Sequence, residues 1–339
     1  MNICFVGNSV SAQKESYRFE LQRLIDEHLA SDVKFINCCL GGIGSLGINF
    51  FINRFVGDKP VDICFVETFV ADLKNATPHN YVKSALQGIL QNPCLLNSKI
   101  IPLYLYRSDI SDDEYLPLLD LYNQAYQPYD IDGINVFRYV KELVNNQRVR
   151  SVDLVYDQIH TTKNGARLYA EYIFSQISSS LVSLQSPANR LIDIEAIVPL
   201  KTDNFSRRIL SGDYELGMFR YLLPYLKVSL ENHIELQTER GKCIGLVVIA
   251  DAETGVVEVS SDGFHHKAQV YDAWCEHARI QVVIFPQPIN RNKLLRITAS
   301  HDKFTTYCAN GSSNDVTHQG SNIKVVELME FDSAQTRRD

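Results

Sequence analysis

Along the first part of the chain, short continuous apolar runs alternate with segments whose apolar residues recur every three or four positions. Ile3-Cys4-Phe5-Val6, DVKFINCCL, VDICFVETFV and KIIPLYLYR have the length and β-branched or aromatic character of strands buried on both faces. Between them, SAQKESYRFELQRLIDEHL carries Tyr17, Leu21, Leu24, Ile25 and Leu29 at helical spacing. INFFINRF, HNYVKSALQGIL, DEYLPLLDLYNQAYQPY and NGARLYAEYIFSQISSSL read as further helices. Strands alternating with helices predict an α/β domain with a parallel sheet covered on both faces, over residues 1–184.

The pattern changes near SSSLVSLQSPANR. Beyond it, RLIDIEAIVPL, HIELQT, CIGLVVIA, GVVEVSS, ARIQVVIF, LLRITAS and NIKVVELMEF are separated by the turn-forming ETG, SDG, PQPINRN and ANGSSND. Many short apolar runs without helical periodicity predict a β-sandwich of jelly-roll type over residues 185–339. SGDYELGMFRYLLPYL departs from the pattern and reads as a helix or a long loop joining the two domains.

Length supports this division, because 339 residues exceed the usual size of one domain. A net charge of -7 without any Lys/Arg-rich run excludes a nucleic-acid surface as the main function. No charged and apolar leader precedes the first strand and no apolar run reaches membrane-spanning length, so the expectation is a soluble, cytoplasmic protein with no membrane partner. The eight cysteines show no CxxC spacing and read as buried thiols in a reducing compartment. HHKAQVYDAWCEH gathers His265, His266, Asp272, Cys275 and His277, but in no zinc spacing, and no metal site is expected. Within it, Trp274, the only tryptophan, is a candidate sugar-stacking residue; a core anchor is its other use.

Candidate chemistry lies at two distant points. The first strand ends in Gly7-Asn8-Ser9 and passes at once into a helix, which places Ser9 at the C-terminal edge of a parallel sheet, where ligands bind. Asn8 or Ser9 merely capping that helix is the plainer use. A nucleophilic serine needs a base and a group to orient that base. Asp157-Gln158-Ile159-His160 precedes the last helix of the α/β half and belongs to the same sheet edge. Asp157 reaches the His160 Nδ1 within one turn and leaves Nε2 for Ser9. Here too a turn-closing Asp157, with Thr161 or Thr162 starting the helix, is the alternative.

GNSV after the first strand, LGGIGSLG after the second, VETFVADL at the third and DQIH before the final helix resemble, in order, the four sequence blocks of the SGNH/GDSL hydrolase family. The resemblance covers about residues 1–180 and implies a three-layer α/β/α fold and serine-dependent ester chemistry. It implies Ser9 as nucleophile, His160 as base and Asp157 as the acid, with the backbone N–H groups of Ser9 and Gly42 in the oxyanion hole. One block departs: Ala71 stands where the family has an oxyanion-donating Asn, while Glu67 and Asp72 match. Asn75 or Asn8 is the candidate replacement donor and substrate contact.

The expected function is therefore hydrolysis of an ester through an acyl-enzyme, without a cofactor. An acylated small molecule or an O-acetylated glycan is the expected partner, and O-acetyl transfer is the adjacent chemistry. The competing reading is a glycan-binding or polysaccharide-assembly protein that keeps the scaffold and has lost activity with the missing Asn.

Overall fold

The computed structural model describes residues 1–29, 32–57, 59–75, 77–181, 197–199, 212–216, 221–238, 241–271, 278–306, 316–318 and 320–333. The chain divides into two compact units, the first reaching Val198 and the second spanning Pro199–Ser333. The junction expected at 184/185 falls outside the described residues.

In the first unit, five parallel strands, β1 (Asn2–Gly7), β2 (Lys34–Cys39), β3 (Ile63–Glu67), β4 (Lys99–Tyr104) and β5 (Ile134–Asn135), lie in the order β2-β1-β3-β4-β5. The central strands are apolar on both faces because both are covered: Ile3 to Val6 and Ile63 to Val66 are buried throughout. On one side pack α2 (Tyr17–Leu29), α7 (Val136–Asn145) and α9 (Lys163–Leu181). On the other lie α3 (Ser45–Val56), α5 (His79–Leu90) and α6 (Asp112–Tyr126), giving three α/β/α layers. α2 turns Tyr17, Leu21 and Ile25 into the core, while Leu24 and Leu29 are half-buried. α3 is buried on nearly every face, as a helix with Leu46, Ile48, Phe50, Phe51, Ile52, Phe55 and Val56 spread around it requires, and leaves only Asn53 and Arg54 outside the core.

The strand order fixes where a ligand can enter. β2 lies on one side of β1 and β3 on the other, so the connections leaving the C-terminal ends of β1 and β2 part company there and open a crevice. The short α1 (Ser9–Ala12) follows β1 at this edge.

Two boundaries differ from the sequence reading. The glycine-rich turn is shorter, because α3 begins at Ser45 and takes in Gly47. The third strand stops at Glu67, and Phe69–Asn75 forms the helix α4. The aromatic and β-branched residues of TFV fit either element; packing decides, since the Phe69 ring sits edge-on among Tyr115 and Tyr122 and tilted against Tyr104.

In the second unit, Arg279–Ile289, Lys242–Ala250, Asn322–Ser333, Tyr221–Ser229 and Gly212–Leu216 lie side by side in that order in one antiparallel sheet. Phe264–Gln269, Val256–Ser261, Leu294–Ser300 and His233–Gln237 form another. Both sheets contribute to one apolar core that includes Val228, Leu246, Val248, Val257, Leu295, Ile297 and Val325, so the unit is a β-sandwich.

The segment read as a helix or joining loop instead supplies two paired strands, Gly212–Leu216 and Tyr221–Ser229. Leu222, Leu223 and Leu226 have helical spacing, but Leu226 and Val228 are buried while Lys227 is exposed, the period of two that a sheet needs. FHHKAQ was assigned no strand from sequence and is one, joined to Val256–Ser261 through Gly263 at φ +71°. The same strand separates the adjacent histidines. His265 points outward to Glu258 at 2.6 Å, whereas His266 faces inward against the rings of Phe264 and Phe285. Asp272, Trp274, Cys275 and His277 lie outside the described residues.

Candidate active site

Ser9 lies two residues beyond Gly7, the last residue of β1, and is the first residue of α1. His160 and Asp157 lie on the turn between α8 (Ser151–Leu154) and α9. Although 151 residues separate them, His160 Nε2 is 2.9 Å from Ser9 Oγ, and His160 Nδ1 is 2.6 Å from Asp157 Oδ2. The Asp157 Oδ1 accepts the backbone N–H groups of Ile159 and His160, each at 2.7 Å. Burial alone pushes the Asp157 carboxyl up, but its three hydrogen-bond donors outweigh that and hold it down at about 2. Asp157 is thus an anion aimed at the imidazole, which fits Nδ1–H donating to Asp157 and Nε2 accepting from the serine hydroxyl.

Several contacts fix this turn in place. The Gln13 amide donates to the Thr161 hydroxyl at 2.7 Å and to its carbonyl at 2.9 Å, tying α1 to the histidine turn. Ser108, on the loop after β4, donates its N–H to the Gln158 carbonyl at 2.9 Å. The start of α9 lies so close to α8 that a Cβ at Gly165 would stand 1.9 Å from the Leu154 carbonyl oxygen, so only glycine fits.

The other wall is built by two buried carboxyls. Glu67 closes β3 directly beside Gly7 and is fully buried. It accepts the Asn8 amide at 3.0 Å, the Ser11 hydroxyl at 3.1 Å and the Asn8 backbone N–H at 3.4 Å. Ser11 also meets the Tyr17 hydroxyl at 2.8 Å. Burial pushes the Glu67 carboxyl up to about 8 in spite of these donors. Asp72, on α4, accepts the Ser45 N–H at 3.0 Å and caps α3 from outside, with the Tyr122 hydroxyl donating to it at 2.5 Å. Burial raises its carboxyl to about 6. Gly44 is required here, since a Cβ would stand 2.0 Å from Asp72 Oδ1.

Between these walls runs the glycine turn. A Cβ on Gly41 would stand 3.9 Å from the Cβ of Ser9, so the turn passes beside the serine, and Gly42 takes a left-handed φ of +77°. Ala71 is buried on α4 and offers no donor. Neither asparagine suggested as its replacement is a freestanding donor. The Asn8 side chain accepts the Val10 N–H at 3.0 Å and donates to Glu67, acting as a helix cap. Asn75, one helical turn beyond Ala71, donates to the Gly42 carbonyl at 3.0 Å. Arg107 went unnoticed in the sequence; it pairs with Asp109 through Nε at 2.9 Å and Nη2 at 2.6 Å, and its Nη1 reaches the Val70 carbonyl at 3.4 Å. The sequence marked Glu67 only by its match to the third block and its place at the end of an apolar run, and gave no sign of the network around it. Among the described residues no cluster of His, Cys, Asp or Glu is arranged to hold a metal ion, and no helix is long and apolar enough to cross a membrane.

No protein-family model matches the sequence, and a search of curated proteins finds no match. Among solved structures, the fold is similar to that of a two-domain esterase active on acetylated mannans, with a TM-score of 0.68 at 12% identity, covering 96% of this chain and 91% of that chain. A structure of a two-domain esterase active on acetylated mannans, co-crystallised with mannopentaose, gives a TM-score of 0.67 at 12% identity, with 96% and 91% covered. An acetyl xylan esterase covers 52% of this chain and 100% of its own at 18% identity, with a TM-score of 0.45. What the protein shares with the two-domain esterases is their fold: a parallel-sheet α/β unit followed by an antiparallel β unit.

Proposed function

We propose that the protein is a serine-dependent ester hydrolase of SGNH type acting on O-acetylated sugars or glycans. The observation that carries this reading is the unbroken chain from Ser9 Oγ to His160 Nε2 at 2.9 Å and from His160 Nδ1 to Asp157 Oδ2 at 2.6 Å, placed at the sheet's switch point. Ser9 Oγ attacks the acyl carbon while His160 Nε2 takes its proton. The tetrahedral intermediate collapses, the bond to the alcohol oxygen breaks, and His160 returns the proton to that oxygen. Water, deprotonated by the same nitrogen, then attacks the acyl-Ser9 ester and releases the acid. Asp157 keeps its charge throughout and steadies the imidazolium that forms in each step.

For the charge on the acyl oxygen we assign the backbone N–H groups of Ser9 and Gly42. The Ser9 amide is at the first position of α1, where no acceptor exists within the helix. Asn75 anchors the carbonyl of Gly42, on the far side of that residue from its N–H, and so steadies the glycine turn; with Ala71 in place of the family's asparagine, this hole relies on backbone donors. The acyl group and the sugar are supported by fold likeness to a two-domain esterase active on acetylated mannans. Discharge of the acyl-enzyme by a sugar hydroxyl in place of water, an O-acetyl transfer, uses the same residues.

Incubation with a fluorophosphonate and, separately, with 4-nitrophenyl acetate tests the reading. Stoichiometric labelling at Ser9 with acetate release supports it. Absence of both, in folded protein, overturns it in favour of a glycan-binding scaffold.

A further inference from the structure

We propose that Tyr156 is the residue that selects the alcohol half of the substrate, by providing a flat surface for a pyranose ring beside His160; the proposal rests on the ester-hydrolase reading above. Tyr17, Tyr104, Tyr106, Tyr115, Tyr122, Tyr126 and Tyr169 in the same unit are all buried, but Tyr156 is 67% exposed. It does not stand free of the site. Its backbone N–H donates to the His160 carbonyl at 3.0 Å, next to the bridge between Val155 and Thr161. This narrow hairpin sets the two side chains alongside each other, with ring centroids 5.8 Å apart and planes within 15°.

The location bears on one half of the ester only. His160 is the group that hands a proton to the departing oxygen, so whatever lies against its neighbour is the alcohol, not the acyl group. The chemistry of the surface narrows the alcohol further. An alkyl chain needs an enclosed apolar slot, whereas Tyr156 is open to solvent and followed by the polar Asp157 and Gln158. A pyranose carries C–H groups on its faces and hydroxyls around its rim. A phenol ring with a polar tip matches both, covering a face while its hydroxyl reaches the rim. The inward-facing sequence neighbour Val155 anchors the hairpin, so the ring is presented from a fixed backbone at little ordering cost.

Steady-state kinetics of Tyr156→Ala, Tyr156→Phe and Tyr156→Trp on acetylated mannooligosaccharides and acetylated xylooligosaccharides, with 4-nitrophenyl acetate as the small ester, test the proposal. The alanine variant is expected to lower kcat/KM for an acetylated oligosaccharide at least about tenfold more than for 4-nitrophenyl acetate, mainly through KM. The tryptophan variant should retain the oligosaccharide activity, and the phenylalanine variant most of it. Competitive inhibition by the deacetylated oligosaccharide should weaken in parallel in the alanine variant. Equal losses on both kinds of substrate would make Tyr156 mere packing for His160 and overturn the platform while leaving the esterase intact. A wild type that labels at Ser9 and cleaves 4-nitrophenyl acetate but no acetylated sugar overturns it as well. Loss of Ser9 labelling in the wild type would instead bring down the hydrolase reading itself.

Discussion

Ser9 stands between two corners of the α/β unit that use the same chemistry to opposite ends. At the turn before α9, Asp157 collects three hydrogen-bond donors while partly open to solvent, and its carboxyl falls to about 2. At the end of β3, Glu67 collects three donors while fully buried, and its carboxyl rises to about 8. The number of donors is alike; water decides the sign. Asp157 therefore remains charged in neutral solution and orients His160, whereas Glu67 acts on the backbone around Ser9 and is on the edge of neutrality. The linkage to stability is opposite too. Asp157, depressed from its ordinary 3.8, contributes stability above that value that is lost as pH falls through about 2. Glu67, raised from 4.5, contributes stability below that value that is lost as pH rises through about 8.

The largest effect that tests this contrast is loss of the proposed nucleophile. Ser9→Ala should lower kcat on the order of 10⁶-fold, as removal of a triad serine does elsewhere, with Tm nearly unchanged because no cavity opens at this half-buried position. A variant that keeps most of its turnover would remove Ser9 from the chemistry. Asp157→Asn comes next, lowering kcat by about 10⁴-fold because the amide no longer dictates which imidazole nitrogen carries the proton. Equal kcat and an unaltered pH–rate profile in that variant would move Asp157 to the structural side of the comparison.

Much of this arrangement was legible in the chain. The buried strands β1 and β3 announced themselves as continuous apolar runs, and the sheet edge on which Ser9 and His160 meet followed from the alternation of strands and helices. Asp157 and His160 are three residues apart, so their contact was visible locally; that with Ser9 needed the topology. What stayed hidden was tertiary. TFVAD has strand-like residues and folds as α4 only because Phe69 finds a pocket of tyrosines. FHHKAQ turns Phe264, His266 and Ala268 inward and His265, Lys267 and Gln269 outward, and the histidine on the inward face hides the period of two until Phe285 is seen to pack against it. Asn8 and Asn75 looked equivalent in sequence, yet one caps α1 and the other holds Gly42, and only the distances distinguish them.

That distinction yields an intermediate effect. Asn75→Ala releases the Gly42 carbonyl, and kcat should fall about tenfold with little change in KM, less than the 10²–10³ that follows loss of a direct oxyanion donor. Ala71→Asn should raise kcat about tenfold if its amide reaches the developing charge, and should recover most of the loss when combined with Asn75→Ala. Failure of either change to move kcat, in folded protein that still labels at Ser9, would show that the backbone donors suffice by themselves.

The smallest effect reports on Glu67 alone. The Asn8 amide cannot turn over to suit a new partner, because its oxygen caps the Val10 N–H; its nitrogen must face Oε1 of residue 67. A glutamine at 67 can therefore place its oxygen on the Asn8 amide and its NH₂ on the Ser11 hydroxyl, which then donates its hydrogen bond to the Tyr17 hydroxyl. Glu67→Gln thus imitates the protonated carboxyl and forfeits the long 3.4 Å bond from the Asn8 N–H. Near pH 5 the variant and the wild type should melt within a few degrees of each other. As pH rises from about 5 toward about 8 the unfolded wild type gives up a proton that the folded carboxyl keeps, so its Tm should decline more steeply than the variant's and the two curves should draw together or cross. Parallel Tm curves from pH 5 to about 9 would mean that Glu67 is ionised at every pH tested, its donors outweighing burial as they do at Asp157. The two corners would then differ in position and no longer in kind.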